Sequence, residues 1–436
     1  GLLLRDLMKG EITDVVIDYD PNGSLVTTHE SQGTDMGLYG GLLGWKADDP
    51  RMTHYRDHIE RSGINIKVNY LSYGAEHPNN YRISISNPSI THTMSAISTG
   101  GGMMEVQEID GSPVNINGDY HELLIYGKNL DLVENLLPDM SCEFKIAHPN
   151  FIEIKSVQPF AQELIAKIAA IVGVTEVCYL KPVVPVLSRK DLKVPFITCE
   201  EMVSIGKEQD LELWELALLY ESARGGITEK QVFENMRSIV RIMQGGIEEG
   251  LRGTYYEDRI LPVQSLGFRD KMESNHLLNG GMLNTIVLFT TAMMEVKSSM
   301  GVFVAAPTAG SCGTLPGAVL GAAKELGSTE DEIVKAMLVS GMIGVFIAEH
   351  ATFSAEVAGC QAETGAGGCM AAAGLVTLMN GTLDQCVAAS SLALQNALGI
   401  VCDPIGNRVE APCLGKNIMA ASNALSCANM ALANYN

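Results

Sequence analysis

Hydrophobic and polar residues alternate along several short segments in the first quarter of the chain. In "DVVIDYD", "INIKVNYLSY" and "YRISISN" the apolar residues occupy every second position, which predicts half-buried β-strands. "SLVTTHE", which follows the turn residues "PNG", is predicted to be a further strand. "GTDMGLYGGLLGW" has its small and apolar residues at helical spacing. Residues 1–112 are therefore predicted to form an α+β domain.

Residues 113–187 have a more regular order of elements. The patterns predict strand, helix, strand, strand, helix and strand, over the segments "YHELLIYG", "LDLVENLLP", "EFKIAHPNFIEIKSV" (as a hairpin), "PFAQELIAKIAAIVGV" and "TEVCYLKPVV". This βαββαβ order is typical of ferredoxin-like regulatory modules. The basic, proline-containing segment 181–195 is predicted to be a linker.

Helical patterns dominate residues 188–436. "DLELWELALLYESARG" and "TEKQVFENMRSIVRIMQGGIEEGL" contain glycines at or near their ends, where helices stop. The longest apolar run, "AMLVSGMIGVFIA", has 13 residues and is too short for a bilayer, so it predicts a buried helix. The last part of this domain is rich in Gly, Ala and Ser, and such small residues suit a compact site built from closely packed backbone.

Composition and charge narrow the classes of function. The 436 residues predict two or three domains, and the net charge of −21 disfavours nucleic acid and anionic membranes as partners. We see no signal peptide and expect a cytoplasmic protein. Ten cysteines in so long a chain are not a disulfide framework, so reduced thiols and metal ligands are expected. Because the first residue is Gly1 and not Met, we expect that some native N-terminal residues are absent.

Three cysteines lie beside glycine and proline: Cys360 in "GCQAE", Cys402 in "CDPIG" and Cys413 in "APC". Cysteines on such loops can turn their sulfurs toward one point and accept backbone N–H bonds, as iron–sulfur ligation requires. Zinc is the competing metal, but the CxxC pair of structural zinc sites is absent from the sequence. The cysteines within helical patterns are predicted to be small core residues: Cys369, Cys386 and Cys427.

The loop "APTAGSCGTLPG" is a second candidate site, at 306–317. Its glycines and hydroxyl residues precede a helix, where exposed amides can form a nest for an anion. It lacks the GK[ST] of a P-loop, so a carboxylate is expected as ligand rather than ATP. An ordinary glycine-rich turn is an equally good interpretation.

Three charged or titratable residues near these motifs have two interpretations each. Arg408 and Lys416 could clamp a carboxylate, or they could be surface charges. His350, at the end of an apolar helix pattern, could be a general base, or it could be a structural histidine.

Three motifs in order carry a family resemblance: "MGVFVAAPTAGSCGTLPGAVL", "GCQAETGAGGCMAAAGLV" and "CDPIGNRVEAPC" followed by "KN". Together they resemble the iron–sulfur-dependent bacterial L-serine dehydratases (L-serine ammonia-lyases). Residues 1–112 are similar to the family's β domain, 113–187 to its ACT-type regulatory module and 188–436 to its α, catalytic, domain. The resemblance implies a lyase of amino-acid metabolism and gluconeogenesis that acts as a homo-oligomer, here a dimer, on a small amino acid.

The resemblance also implies a cofactor and a mechanism. Cys360, Cys402 and Cys413 match the three ligands of a 4Fe-4S cluster, with separations of 42 and 11 positions that agree with the family pattern. The iron without a cysteine would act as a Lewis acid, so that L-serine or a close 3-hydroxy amino acid gives pyruvate (a 2-oxo acid) and ammonia without pyridoxal phosphate. Ser311 and His350 are predicted to be catalytic. The substrate-binding residues are predicted to be Thr308, Gly310, Ser311, Gly313 and Asn417.

The chain departs from the family at several positions. Lys297 and His350 stand where the family usually has Asn, and Gln32 stands where it has His. The family's Gly-Pro-Ser-Ser-Ser-His-Thr motif does not occur at the start; "NPSITHT" at 87–93 imitates it, which we interpret as a coincidence. Two alternatives therefore stay open. One is a cysteine desulfidase-type β-elimination on a thiol amino acid, and the other is a non-catalytic iron–sulfur or amino-acid sensor with Cys312 as fourth ligand.

Overall fold

The computed structural model describes residues 1–30, 33–100, 103–128, 133, 144–183, 193–257, 259–353, 355–401, 403–405 and 409–435. The chain divides into two compact units, Gly1–Ser188 and Arg189–Asn436. The first unit contains two sheets with their helices, and the described part of the second unit is helical. A multidomain protein with sheets in its N-terminal half and helices in its C-terminal half is therefore confirmed.

The first sheet has six strands in the order β2-β1-β3-β4-β5-β6. Their bounds are β1 Asp14–Tyr19, β2 Asn65–Tyr70, β3 Asn80–Ser86, β4 Thr91–Gly100, β5 Met103–Ile109 and β6 Ser112–Ile116. Strands β1 and β2 pair in parallel, and the other neighbours pair antiparallel. The chain between β1 and β2 passes through helices, as a parallel pair requires. The helices of this region are α1 Leu2–Leu7, α2 Leu25–Thr28, α3 Thr34–Leu42 and α4 Tyr55–Arg61.

One predicted strand of this region is wrong. "SLVTTHE" forms the short helix α2, and Leu25 is its buried residue. The chain turns at Asp20, whose carboxylate accepts the Asn22 amide at 3.0 Å, and the Thr28 hydroxyl donates to the Ser24 carbonyl at 2.8 Å. Such side-chain bonds to the local backbone compete with strand pairing, and the two apolar residues of this segment, Leu25 and Val26, are adjacent rather than alternating. The strands predicted from "DVVIDYD", "INIKVNYLSY" and "YRISISN" are confirmed as β1, β2 and β3.

The second sheet has four antiparallel strands in the order β10-β7-β9-β8. The strands are β7 His121–Gly127, β8 Phe144–Ala147, β9 Phe151–Ser156 and β10 Val174–Leu180, and helix α5 spans Gln162–Ala169. The four strands and the helix α5 agree with their predicted places, including the hairpin of β8 and β9, whereas the first predicted helix is not described. Of the predicted helix "LDLVENLLP" only Val133 is described, and most of the predicted linker 181–195 also lies outside the described residues.

The second unit is an assembly of helices around one hydrophobic core. The helices are α6 Cys199–Gln209, α7 Leu213–Gly225, α8 Glu229–Arg252, α9 Ser265–Glu273, α10 Met282–Ser298, α11 Thr314–Leu326, α12 Glu330–His350, α13 Ala355–Ala358, α14 Ala366–Leu378, α15 Leu383–Asn396 and α16 Glu410–Leu432. Helix α14 lies at the centre, since every residue from Ala366 to Val376 is buried. A Cβ atom at Gly374 would lie 2.5 Å from the Ser340 hydroxyl oxygen, so this close approach of α12 requires glycine.

Helix α12 contains the long apolar run of the sequence. Among the described helices it is the one long and apolar enough to cross a membrane, but 61% of its most apolar 18-residue window is buried within the protein. Its packing against α14 therefore makes it a core helix, as the length of the apolar run predicted.

Candidate active site

The glycine-rich loop before α11 is held by its own hydroxyl residues. Ser311 is fully buried, and its hydroxyl donates to the Ala306 carbonyl at 3.1 Å. The same oxygen accepts the Thr308 amide at 3.3 Å. The peptide bond between Ala306 and Pro307 is cis. Ser311 therefore fixes the shape of the loop, and a ligand could reach its hydroxyl only if these bonds opened.

Asn417, on α16, fastens the end of the loop to the helix core. Its Oδ1 accepts the Thr314 amide at 2.9 Å and the Thr314 hydroxyl at 2.8 Å. Its Nδ2 donates to the carbonyls of Gly310 at 2.7 Å and Cys413 at 2.8 Å. A side-chain amide has two donors and an acceptor oxygen with two lone pairs, so all its bonding positions are used by the protein. Asn417 is fully buried as well.

The sequence did not single out Glu363, whose carboxylate lies against the same loop. The Thr308 hydroxyl donates to Glu363 Oε1 at 2.6 Å. A Cβ atom at Gly310 would lie 2.6 Å from both carboxylate oxygens, so Gly310 leaves the space that Glu363 occupies. Glu363 is held there by a π-helical turn, Gln361–Gly365, between Cys360 and α14. Such turns are rare and occur often at functional sites.

Two of the three predicted metal ligands are described, and both are buried. Cys360 immediately precedes the π-helical turn, and Cys413 lies in the first turn of α16. Lys416 follows Cys413 on the same helix, and its Nζ lies 3.9 Å from Cys360 Sγ. Cys402 lies outside the described residues.

Lys416 also binds the residues on either side of Cys402. Its Nζ donates to the Val401 carbonyl at 2.5 Å and to the Asp403 carboxylate. Two further bonds hold this segment near Cys360: Gln361 N donates to the Ile400 carbonyl at 2.9 Å, and Gly399 N donates to the Gln361 side chain at 2.7 Å. The neighbours of Cys402 thus lie beside the Cys360 sulfur. Of the two sequence interpretations of Lys416, the surface charge is excluded, since its side chain is only 15% exposed.

Cys312 is part of the same loop and is fully buried. Burial raises the pKa of its thiol to about 12, while the positive charge of Lys297 acts in the opposite direction. Its Sγ lies 3.9 Å from the Met294 sulfur, in the core between helices. Cys312 is therefore a neutral thiol at physiological pH, and it behaves as a packing residue.

The remaining sequence candidates lie apart from these contacts or outside the described residues. His350 is the last residue of α12 and is exposed, and among the described residues no hydrogen bond or ion pair joins it to the loop. Arg408 lies outside the described residues. Burial raises the pKa of Cys369 to about 12 and that of Cys386 to about 11, so both are neutral thiols in helices of the core.

The described site thus combines two buried thiols, one partly buried ammonium and one carboxylate that faces a hydroxyl-rich loop. An ammonium close to sulfur favours the thiolate form, which is the form that binds metals. A carboxylate beside a glycine-rich loop can accept a proton or orient a ligand.

Comparison with known proteins places the helical unit in a family. Residues 208–436 match the model of the serine dehydratase alpha chain. The chain is 32% identical over 238 residues to the probable L-serine dehydratase alpha chain of Bacillus subtilis (strain 168), covering 55% of this chain and 79% of that one. It is 31% identical over 237 residues to the L-serine dehydratase alpha chain of Peptoniphilus asaccharolyticus, covering 54% and 81%.

A longer relative is matched over part of its length. The L-serine dehydratase of Haemophilus influenzae is 30% identical over 249 residues, which are 55% of this chain and 53% of that protein. The family match covers more than half of the 436 residues and includes the loop, the π-helical turn and α16. The chain therefore belongs to the serine dehydratase alpha chain family, and it is a lyase.

Proposed function

We propose that the protein deaminates L-serine, or a close 3-hydroxy amino acid, to pyruvate or the matching 2-oxo acid and ammonia. In this proposal Cys360, Cys402 and Cys413 hold a 4Fe-4S cluster. The observation that carries it is the set of contacts made by Lys416, which join the Cys360 sulfur to both neighbours of Cys402. Cys413 lies three positions before Lys416 on the same helix, so the same contacts bring the third cysteine into this region.

The described residues fit such a cluster chemically. Thiolates are the usual ligands of iron–sulfur clusters, and Cys360 and Cys413 are both buried. The Lys416 ammonium, 3.9 Å from Cys360 Sγ, would offset part of the negative charge that three thiolates bring. Cys312 is fully buried, and its Sγ lies 3.9 Å from the Met294 sulfur in the helix core. This packing supports a cluster with three cysteine ligands rather than four.

When bound, the cluster would supply a Lewis acid that makes the substrate hydroxyl a better leaving group. The loop 306–313 would bind the substrate carboxylate through its amides and the Thr308 hydroxyl. That hydroxyl now donates to Glu363 Oε1, so an incoming carboxylate would compete with Glu363 for it. Glu363 could then hold, at Oε2, the proton taken from the substrate's α-carbon. The alternatives for this role are the two residues chosen from sequence, Ser311 and His350.

Anaerobic reconstitution of the full chain with iron and sulfide tests the proposal. We expect a brown protein that absorbs in the blue part of the visible spectrum, releases pyruvate from L-serine and loses activity in air. Cys360→Ser should lose both colour and activity, whereas Cys386→Ser, a matched change of another buried cysteine, should keep both. A colourless, metal-free preparation with full activity would contradict the proposal.

The same preparation separates the alternative functions. A desulfidase would release sulfide from L-cysteine faster than it releases pyruvate from L-serine, and the Lys297 charge close to the site motivates this comparison. For a closed-site sensor, Cys312→Ser would remove the cluster. Under the open-site proposal this variant keeps the cluster and its spectrum.

The expected partners follow from the family resemblance and from the net charge of the chain. We propose a small amino acid as substrate, no nucleic-acid or membrane partner, a homodimer, and a cytoplasmic location. We also propose that residues 113–187 act as an ACT-type regulatory module that binds an effector amino acid. Light scattering tests the homodimer, and activity measured with a series of added amino acids tests the regulatory module. If neither activity nor particle size changes with any added amino acid, the regulatory module is contradicted.

A further inference from the structure

A cluster of polar side chains joins two strands of the N-terminal unit. His92 lies on β4, and Glu176 and Cys178 lie on β10. Each offers one possible ligand atom, and these three atoms all lie within 4.8 Å of one another. None of them belongs to the site proposed in the helical unit. His92 is part of "NPSITHT", the stretch whose likeness to the family's start motif we interpreted as a coincidence.

The His92 ring is held in one orientation from its Nδ1 side. Nδ1 lies 2.8 Å from Asp110 Oδ2. The Asp110 carboxylate also accepts the Tyr126 hydroxyl at 2.7 Å and the Thr93 amide at 2.8 Å, so it is itself fixed. A hydrogen bond from Nδ1–H to a carboxylate is what orients most metal-binding histidines, because it leaves the Nε2 lone pair for the metal.

The other ring nitrogen of His92 is buried without a hydrogen bond. The residue is 3% exposed, and among the described residues Nε2 has no hydrogen-bond partner. The nearest carboxylate oxygen, Glu176 Oε2, lies 3.5 Å away, which is an ion-pair distance. A buried polar atom in a native protein normally has a hydrogen-bond or metal partner, and an ion held between Nε2, Glu176 and Cys178 would provide one.

Glu176 and Cys178 are presented together to this nitrogen. They are two positions apart on β10, so their side chains lie on the same face of the strand. Cys178 is fully buried, and its Sγ lies 3.3 Å from the Leu7 carbonyl. One Glu176 oxygen pairs with Lys9 Nζ at 3.2 Å, while the other faces His92.

We propose that His92 Nε2, Cys178 Sγ and Glu176 Oε2 bind one Zn²⁺ ion, with a water molecule in the fourth position. An imidazole, a thiolate and a carboxylate form a ligand set that suits zinc. In tetrahedral zinc sites neighbouring ligand atoms are roughly 3.3–3.8 Å apart. The separation of His92 Nε2 and Glu176 Oε2 is already 3.5 Å, and the sulfur needs to move by an ångström at most. Such an ion would tie β4 of the first sheet to β10 of the second.

Cobalt titration of the full chain tests the site, since Co²⁺ replaces Zn²⁺ and its spectrum reports the ligands. The chelator-treated, cluster-free protein should bind one equivalent of Co²⁺ with a thiolate-to-cobalt band, and added Zn²⁺ should remove that band. Measurements are made in the Cys413→Ser background, so that cobalt held by the cysteines of the helical unit is distinguished from cobalt at Cys178. This also separates failure here from failure of the proposed function.

Two variants and one control decide the outcome. Cys178→Ser should abolish the thiolate band, whereas Cys386→Ser should leave it unchanged. Asp110→Asn should weaken cobalt binding by roughly 10–100-fold, as expected for loss of the partner of a ligating histidine. If Cys178→Ser does not fold, the Cys413→Ser chain still gives a test: Zn²⁺ should raise its melting temperature after chelation, and Asp110→Asn should reduce that increase. No cobalt binding, or a band that persists without Cys178, overturns the proposal, and the cluster is then an ion-paired link between strands.

Discussion

Replacing Asn417 with Ala should separate a structural role from a role in substrate binding. The sequence predicts that this residue binds substrate, but its side chain makes four hydrogen bonds within the protein. If the main role of Asn417 is to make these hydrogen bonds, the variant should have a lower free energy of unfolding. If substrate contact is its main role, the variant should lose kcat/KM while its stability stays close to that of the unsubstituted protein.

The size of the effect can be worked from the bonds. Cys413 lies within α16, where its carbonyl has a helical backbone partner, so the loss falls on the Gly310 carbonyl and the Thr314 amide. Each buried group left without a partner costs about 1–3 kcal/mol. The free energy of unfolding should therefore fall by about 2–6 kcal/mol. For a domain of this size that corresponds to a decrease in melting temperature of roughly 4–24 °C.

Differential scanning calorimetry of the full chain measures this decrease, with Asn429→Ala as the control. Asn429 is exposed on the same helix, so its replacement should change the melting temperature by no more than a degree or two. If Asn417→Ala matched Asn429→Ala in stability and lost only kcat/KM, the loop-fastening role would be refuted.

Three further outcomes follow from single contacts. Gly310→Ala should displace the Glu363 carboxylate, because the new Cβ would lie 2.6 Å from both carboxylate oxygens, and enzymatic activity should fall. Gly415→Ala is the control: its new Cβ would have no atom within 4 Å, so activity should not change. Cys369 should resist alkylation in native protein at pH 8, since its pKa of about 12 leaves very little thiolate, and mass spectrometry of labelled peptides checks this. Hydrogen bonds from two arginines lower the pKa of Glu330 in the folded protein. The contribution of Glu330 to the free energy of unfolding is therefore fully present above the pKa that it has in the unfolded chain. It is lost as the pH falls through the lower pKa of the folded protein. Urea denaturation should therefore show Glu330→Gln destabilised at pH 7, with the difference shrinking in acid.

The fold could be predicted where periodicity was strong. The alternation in β1, β3 and β9 and the long apolar run of α12 each identified an element correctly. The strand prediction for "SLVTTHE" failed because the segment has no apolar alternation, and local hydrogen bonds of serine and threonine favour a helical turn there. Strand order in the second sheet depends on pairings between distant segments, which no local pattern contains.

The site was predictable only in part, because its key contacts depend on helix geometry. Residues 360–374 are mostly glycine and alanine, and nothing in that composition marks where a π-helical turn replaces the α-helix. That extra residue per turn changes which side chains face the loop, and it brings Glu363 to Thr308. Sequence reasoning concentrated on the cysteines of this stretch and left its one acidic residue unassigned.

Lys416 shows how burial changes the meaning of a charge. From sequence, a lysine that follows "APCLG" can be a carboxylate clamp or a solvated surface residue. The structure brings its Nζ to a sulfur, a carbonyl and a carboxylate at once, with most of its side chain buried. A cation there lowers the electrostatic cost of a thiolate at Cys360, and a neutral side chain in its place would raise it. The segment around Cys402 and the Cys360 sulfur are thus held by the same charge. If the three cysteines hold a cluster as proposed, loss of Lys416 should impair metal ligation even though this side chain need not bind the metal.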